Sequence, residues 1–125
     1  METKYGIPQK DLDTVVERDK NCVYCHKTMI SPWNSKNQSD SVTIEHLNHK
    51  QDWDSVRTYV STDQPVPAII AICCGACNSS RGSKSLYDWF ETKYCNENKI
   101  CYENVSQVVK NYIDKYEKQN IHLQT

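Results

Sequence analysis

No run of apolar residues in this 125-residue sequence approaches the roughly 20 needed to cross a bilayer, which sets aside a membrane-spanning helix. The chain does not open on an apolar segment either. Met1-Glu2-Thr3-Lys4-Tyr5 is polar and charged, so no secretory signal is expected and the expected location is cytoplasmic. Internal repeats and low-complexity tracts are missing, which excludes a repeat architecture. An excess of one charge is missing as well. With 15 basic and 16 acidic residues the net charge is -1, so composition does not announce a nucleic-acid binder and any basic surface must be local. Apolar residues are scarce at 38%, and the mean hydropathy is -0.77. A chain of this length forms one domain and buries roughly two thirds of its unfolded surface. So lean a core would gain from a metal or similar staple.

What is plentiful is cysteine, seven in all, an odd number. Where thiols stay reduced, paired Cys-x-x-Cys motifs point to metal more than to disulfides. One pair is Cys22 and Cys25, and the other is Cys74 and Cys77. Two such turns facing each other supply the four soft ligands of a tetrahedral zinc. The alternative is four reduced, unliganded thiols. Cys73 competes with Cys74, but the spacing to Cys77 matches the first pair only for Cys74, which sends Cys73 to the other side of its strand and into the core. Cys95 and Cys101 read as packed small residues.

In chain order, the apolar spacing of Ile7, Leu12, Val15 and Val16 predicts a packing helix over 7–19, with Pro8 in its first turn. A polar loop is expected over 31–41, and a strand over 41–47 with Val42 and Ile44 on one face and Thr43 and Glu45 on the other. The stretch 48–67 is irregular, anchored by Trp53, Val56 and Tyr59, with a helical turn conceivable over 54–60. A second, buried strand is expected over 69–73. Ser85-Leu86-Tyr87-Asp88 reads as a helix start with a capping box, opening a stripe of Leu86, Trp89, Phe90 and Tyr94 that runs to about Cys95. A C-terminal helix is expected over about 104–118, with Val105, Val108, Val109, Tyr112, Ile113 and Tyr116 facing the core.

Between the two cysteine pairs stands Glu45-His46, and directly after the second pair stands Asn78. A carboxylate beside an imidazole is often only a solvated surface. Its place between two metal-binding halves argues for more, provided the strand end turns both side chains towards one ligand. A hard carboxylate oxygen from Glu45 suits magnesium or manganese. A neutral histidine with a pKa of about 6.5 can take a proton from water. Asn78 would add an oxygen ligand at the start of a helix, where an anionic phosphate is also favoured.

Taken together, Cys22-x-x-Cys25, Ile44-Glu45-His46 and Ile70-Ala71-Ile72-Cys73-Cys74-x-x-Cys77-Asn78-Ser79-Ser80-Arg81-Gly82 resemble the HNH endonucleases, in the subgroup stapled by a four-cysteine zinc. The resemblance covers about residues 15–90. It implies an α+β fold with a small ββα-metal core, a two-stranded hairpin plus a helix, flanked by N- and C-terminal helices. The whole chain, 1–125, would be one nuclease domain with its core over about 15–95. It also implies hydrolysis of DNA phosphodiester bonds, branched or nicked DNA included. His46 would be the general base, and Glu45 and Asn78 would hold a catalytic Mg2+ or Mn2+ ion beside the structural Zn2+. Arg81 would anchor a phosphate or brace the turn, and Lys84 and His49 would contact nucleic acid. Arg57, Lys50 and Lys93 are further phosphate contacts to consider, although a lysine on a helix face is usually just solvated. Cutting both strands would call for a dimer. Two positions depart from the pattern: Glu45 stands where aspartate is common, and Ile69 stands where the middle asparagine pins the loop after the base, a role open here to Asn48. The other reading is a zinc-stapled nucleic-acid-binding module with weak or no catalysis.

Overall fold

The computed structural model describes residues 9–30, 35–47 and 70–117. In order these form α1 (Gln9–Asp19), a 3-10 turn (Ser35–Asp40), β1 (Val42–His46), β2 (Ile70–Cys74), α2 (Gly75–Arg81), α3 (Leu86–Phe90), α4 (Lys93–Asn98) and α5 (Gln107–Tyr112), which runs on as a π-helical turn over Ile113–Glu117. The chain is therefore α+β, with an antiparallel two-stranded sheet and several short helices.

The sheet pairs Val42 with Cys74 and His46 with Ile70. All five residues of β2 are buried, as expected of a strand made almost wholly of apolar side chains. Its second edge is covered by α1 and the turn after it. Asp19 Oδ2 accepts from Ile72 N at 3.0 Å, Arg18 donates to the Ile70 carbonyl at 2.8 Å, and Val23 N donates to the Ile72 carbonyl at 3.2 Å. Arg18 also grips Asp19 through both carboxylate oxygens, at 2.6 and 2.9 Å. The backbone groups that an open edge would offer to another chain are thus taken by this one. Within α1 only Val15 is buried; Val16, one position on and about 100° round the helix, is exposed, so the apolar stripe is narrower than its sequence suggests.

The polar loop expected over 31–41 contains the 3-10 turn, which Ile30 and Ser41 bracket as an isolated bridge. Its carbonyl at Gln38 comes so close to α2 that a Cβ on Gly75 would stand 1.9 Å from the oxygen. Glycine is required there for space, and Gly75 N binds the Ser41 carbonyl at 3.0 Å. Trp89 fills the core beside α2 with no exposed surface, its indole N–H bonded to Ser80 Oγ. Tyr24 meets it edge-on at 4.7 Å and Tyr94 stacks on it at 6.1 Å. The stripe expected to run unbroken to Cys95 is two helices, because Thr92 caps a new one, accepting from Cys95 N at 3.4 Å. Val108, Val109, Tyr112 and Ile113 face the core, as their spacing predicts; Val105 is buried too, but in the turn before the helix, which starts at Gln107 and not at about 104.

Candidate functional site

The first thiol pair lies in a closed turn. Cys22 N donates to the Lys27 carbonyl at 3.1 Å, His26 N donates to the Cys22 carbonyl at 2.9 Å, and His26 takes the left-handed conformation that lets the turn close (φ 67). The second pair straddles the junction where β2 becomes α2: Cys74 is the last strand residue and Cys77 lies in the first helical turn. The Val23 to Ile72 hydrogen bond lays one turn against the other. As a result the sulfurs of Cys22, Cys25, Cys74 and Cys77 all lie within 4.8 Å of one another, and Cys25 Sγ is 3.8 Å from Cys74 Sγ. Four sulfurs bonded to one zinc ion at about 2.3 Å stand about 3.8 Å apart at the corners of a tetrahedron. The donor set and its spacing fit such an ion.

Proton sharing within the cluster points the same way. Hydrogen bonds from Cys74 and Cys77 push the Cys22 thiol far below its usual range. The bond to Cys22 holds the Cys74 proton up to about 11, and the bonds to Cys22 and Cys74 drive Cys77 higher still. Among Cys22, Cys74 and Cys77 the arrangement favours the thiolate at Cys22, solvated by the other two thiols; a dication would free their protons. Cys73 stays apart. It is buried, its Sγ lies 3.6 Å from Thr43 Oγ1, and burial raises its pKa.

Glu45 and His46 are both still inside the ladder, opposite Ala71 and Ile70, so their side chains leave opposite faces of the sheet. The turn of both side chains towards one point, anticipated at the strand end, does not occur. Glu45 faces the core and is 4% exposed. Its Oε2 accepts from the Tyr24 hydroxyl at 2.5 Å and from Arg81 Nη1 at 3.2 Å. Burial raises its pKa, with the Arg81 charge opposing. Of the two roles open to Arg81, the geometry is that of a brace. Its guanidinium is buried and also donates to the carbonyls of His46 at 3.2 Å, Leu47 at 2.7 Å and Lys84 at 2.9 Å.

Asn78 reaches from α2 back to β1. Its Nδ2 donates to the Ile44 carbonyl at 3.1 Å and to Thr43 Oγ1 at 3.0 Å, leaving Oδ1 with no partner among the described residues. Asn78 lines an open cavity of about 350 Å³, with Gln38, Ser39, Thr43, Gly75, Ala76 and Ser79 as its other walls. Neither Glu45 nor His46 lines it. The residues expected to hold a catalytic ion are near one another in the fold, but Glu45 Oε2 is committed to Tyr24 and Arg81, and Asn78 reaches β1 through its amide nitrogen. Lys84 and Lys93 are exposed, and Lys84 Nζ lies 3.3 Å from the Ser80 carbonyl. His49, Lys50, Arg57, Ile69, Asn48 and the 54–60 turn lie outside the described residues. Tyr24 carries no motif of its own, although a fully buried tyrosine must take its hydroxyl to a partner, and that partner is Glu45. The 3-10 turn that walls the cavity left no apolar period to read.

The described residues define an α+β chain whose hairpin and helices meet at a four-cysteine cluster able to hold a metal such as zinc. No helix among them is long and apolar enough to cross a membrane. No protein-family model, curated protein or solved structure matches the chain.

Proposed function

We propose that this protein is a DNA endonuclease of the HNH type, a ββα-metal unit stapled by a structural zinc on Cys22, Cys25, Cys74 and Cys77. The observation that carries the reading is the pair of hydrogen bonds from Asn78 to Ile44 and Thr43. They fasten the residue that follows the second thiol pair to the strand that ends in His46, in the order β1, β2, α2. The zinc's part is structural: it holds the two turns at fixed distance and so aims α2 at β1. On this reading His46 takes the proton of the attacking water, and DNA is the partner. The magnesium or manganese ion that the family pattern assigns to Glu45 and Asn78 does not fit the arrangement seen, since Glu45 is buried against Arg81 and Tyr24. No step is routed through it.

That same burial favours a second reading, a zinc-stapled nucleic-acid-binding module without catalysis. One experiment separates the two. Supercoiled plasmid incubated with the purified protein and magnesium or manganese should be nicked or linearised, and His46→Ala should lower the rate by on the order of 100-fold or more, the usual contribution of a positioned base. Absence of cleavage together with a plasmid mobility shift supports the binding module. Equal cleavage by wild type and His46→Ala refutes the endonuclease assignment.

A further inference from the structure

The four-thiol centre has a neighbour that its ligand pattern does not include. The hydroxyl of Tyr94 lies 3.3 Å from Cys77 Sγ. Tyr94 sits in the first turn of α4, whose start is fixed by the Thr92 cap. Its ring stacks on Trp89 with an interplanar angle of 23°. Trp89 is itself immobilised, donating its indole N–H to Ser80 Oγ at 2.9 Å and taking the Tyr24 ring edge-on. A phenol held this way stands at the sulfur before any ion arrives.

We infer that Tyr94 is a positioning residue of the metal centre, donating a hydrogen bond to the Cys77 thiolate and thereby strengthening metal binding; this rests on the reading of the four cysteines as a metal site. The physical reason is charge. Four thiolates around a divalent cation carry a net charge of -2, and three of the four cysteines, Cys22, Cys74 and Cys77, are buried from water. A thiolate cut off from water needs donors from the protein, and a hydroxyl is a strong one, since bonds to charged acceptors are roughly twice as strong as neutral ones. A phenol with an ordinary pKa of about 10 is protonated at neutral pH and can only donate to a thiolate. Groups that bind ligands in this way typically govern 10- to 100-fold in metal affinity. The stack on Trp89 gives Tyr94 a packing role as well, so the test must separate hydroxyl from ring.

The probe is cobalt(II), which in four-sulfur sites absorbs in the visible and shows sulfur-to-metal charge-transfer bands. Affinity is read by competition with a chromophoric chelator. Tyr94→Phe keeps the stacked ring and removes only the donor. It should weaken cobalt binding by on the order of 10-fold and move the charge-transfer band to lower energy, because the sulfur lone pairs lose a stabilising hydrogen bond. Tyr102→Phe is the control: it removes a tyrosine hydrogen bond of 2.8 Å whose partner is the Asp114 carboxylate and not a thiol, and should leave cobalt affinity and spectrum as in wild type. A Tyr94→Phe protein with wild-type affinity and band position overturns the inference, and it does so even if Tyr94→Leu binds weakly, since that loss would belong to the ring alone. Wild-type protein that takes up no cobalt overturns the metal reading itself, an outcome distinct from wild-type uptake with an unchanged Phe variant.

Discussion

Arg81 and Glu45 show how much one buried pair can decide. Each side chain is 5% exposed, and the guanidinium also holds three backbone carbonyls, two of them at the exit of β1. Breaking a buried pair from one side leaves the other charge uncompensated, at a cost of about 3–5 kcal/mol. Arg81→Met should destabilise the protein by that amount in urea unfolding, and the loss should depend on pH. Glu45 has a folded pKa above its ordinary value, so the folded chain binds its proton more tightly than the unfolded chain, and its contribution to stability falls as pH rises through that window. Arg81 is the chief influence opposing the rise. Its removal widens the window upward, so the variant should lose more stability at neutral pH than in acid below about pH 4, where Glu45 is protonated in both states. An equal loss at both values would show that the cost lies in the lost carbonyl contacts and not in the stranded carboxylate. The motif made Glu45 and Arg81 visible in the sequence, but their pairing was not. It depends on Tyr24 and on which face of the sheet α2 covers, and residue spacing encodes neither.

At the scale of elements, legibility followed the strength of the local signal. β1 could be read from the alternation of Val42, Thr43, Ile44 and Glu45, and β2 from its apolar run, each within a residue of its observed bounds. The helix start expected at Ser85 is present as an N-cap, with Ser85 Oγ accepting from Asp88 N at 3.2 Å. The break between α3 and α4 was not legible, because Leu86, Trp89, Phe90 and Tyr94 keep a helical spacing across it, and Thr92 ends one helix only by capping the next. Helices this short draw little from propensity and depend on their ends. Ser85→Ala should therefore cost about 1 kcal/mol. The loss should not reach the full value of an uncapped end, because Glu117 still accepts from Leu86 N and Tyr87 N at 3.0 and 3.1 Å. Ser85→Ala combined with Glu117→Gln should exceed the sum of the single losses, measured as midpoint shifts in thermal unfolding. Strict additivity would mean that the two caps do not share the α3 terminus.

For the molecule as a whole, the thiol cluster is where the long-range order of the chain is concentrated. It joins the turn after α1 to the end of β2 and the start of α2, and α4 leans on it through Tyr94. The two Cys-x-x-Cys spacings announced that convergence. The same spacing sent Cys73 to the other side of its strand, where it is buried; what it could not name is the partner there, Thr43. A chain with so lean an apolar content has few other means of holding these pieces together, and a metal that binds only the folded form adds its binding energy to folding. Strong chelation should therefore abolish or markedly lower the cooperative unfolding transition seen by circular dichroism, and stoichiometric zinc should restore it while magnesium should not, since soft thiolates select zinc over a hard oxygen-seeking ion. Acid should act in the same direction as the chelator. Loading an ion on all four sulfurs expels the protons held at Cys74 and Cys77, whose pKa values stand above the usual thiol range, so each step down in pH favours protons over metal. The chelator concentration at the unfolding midpoint should fall as pH is lowered. A transition that neither chelator nor zinc moves, at any pH between mildly acidic and neutral, would mean that the four thiols pack together without an ion.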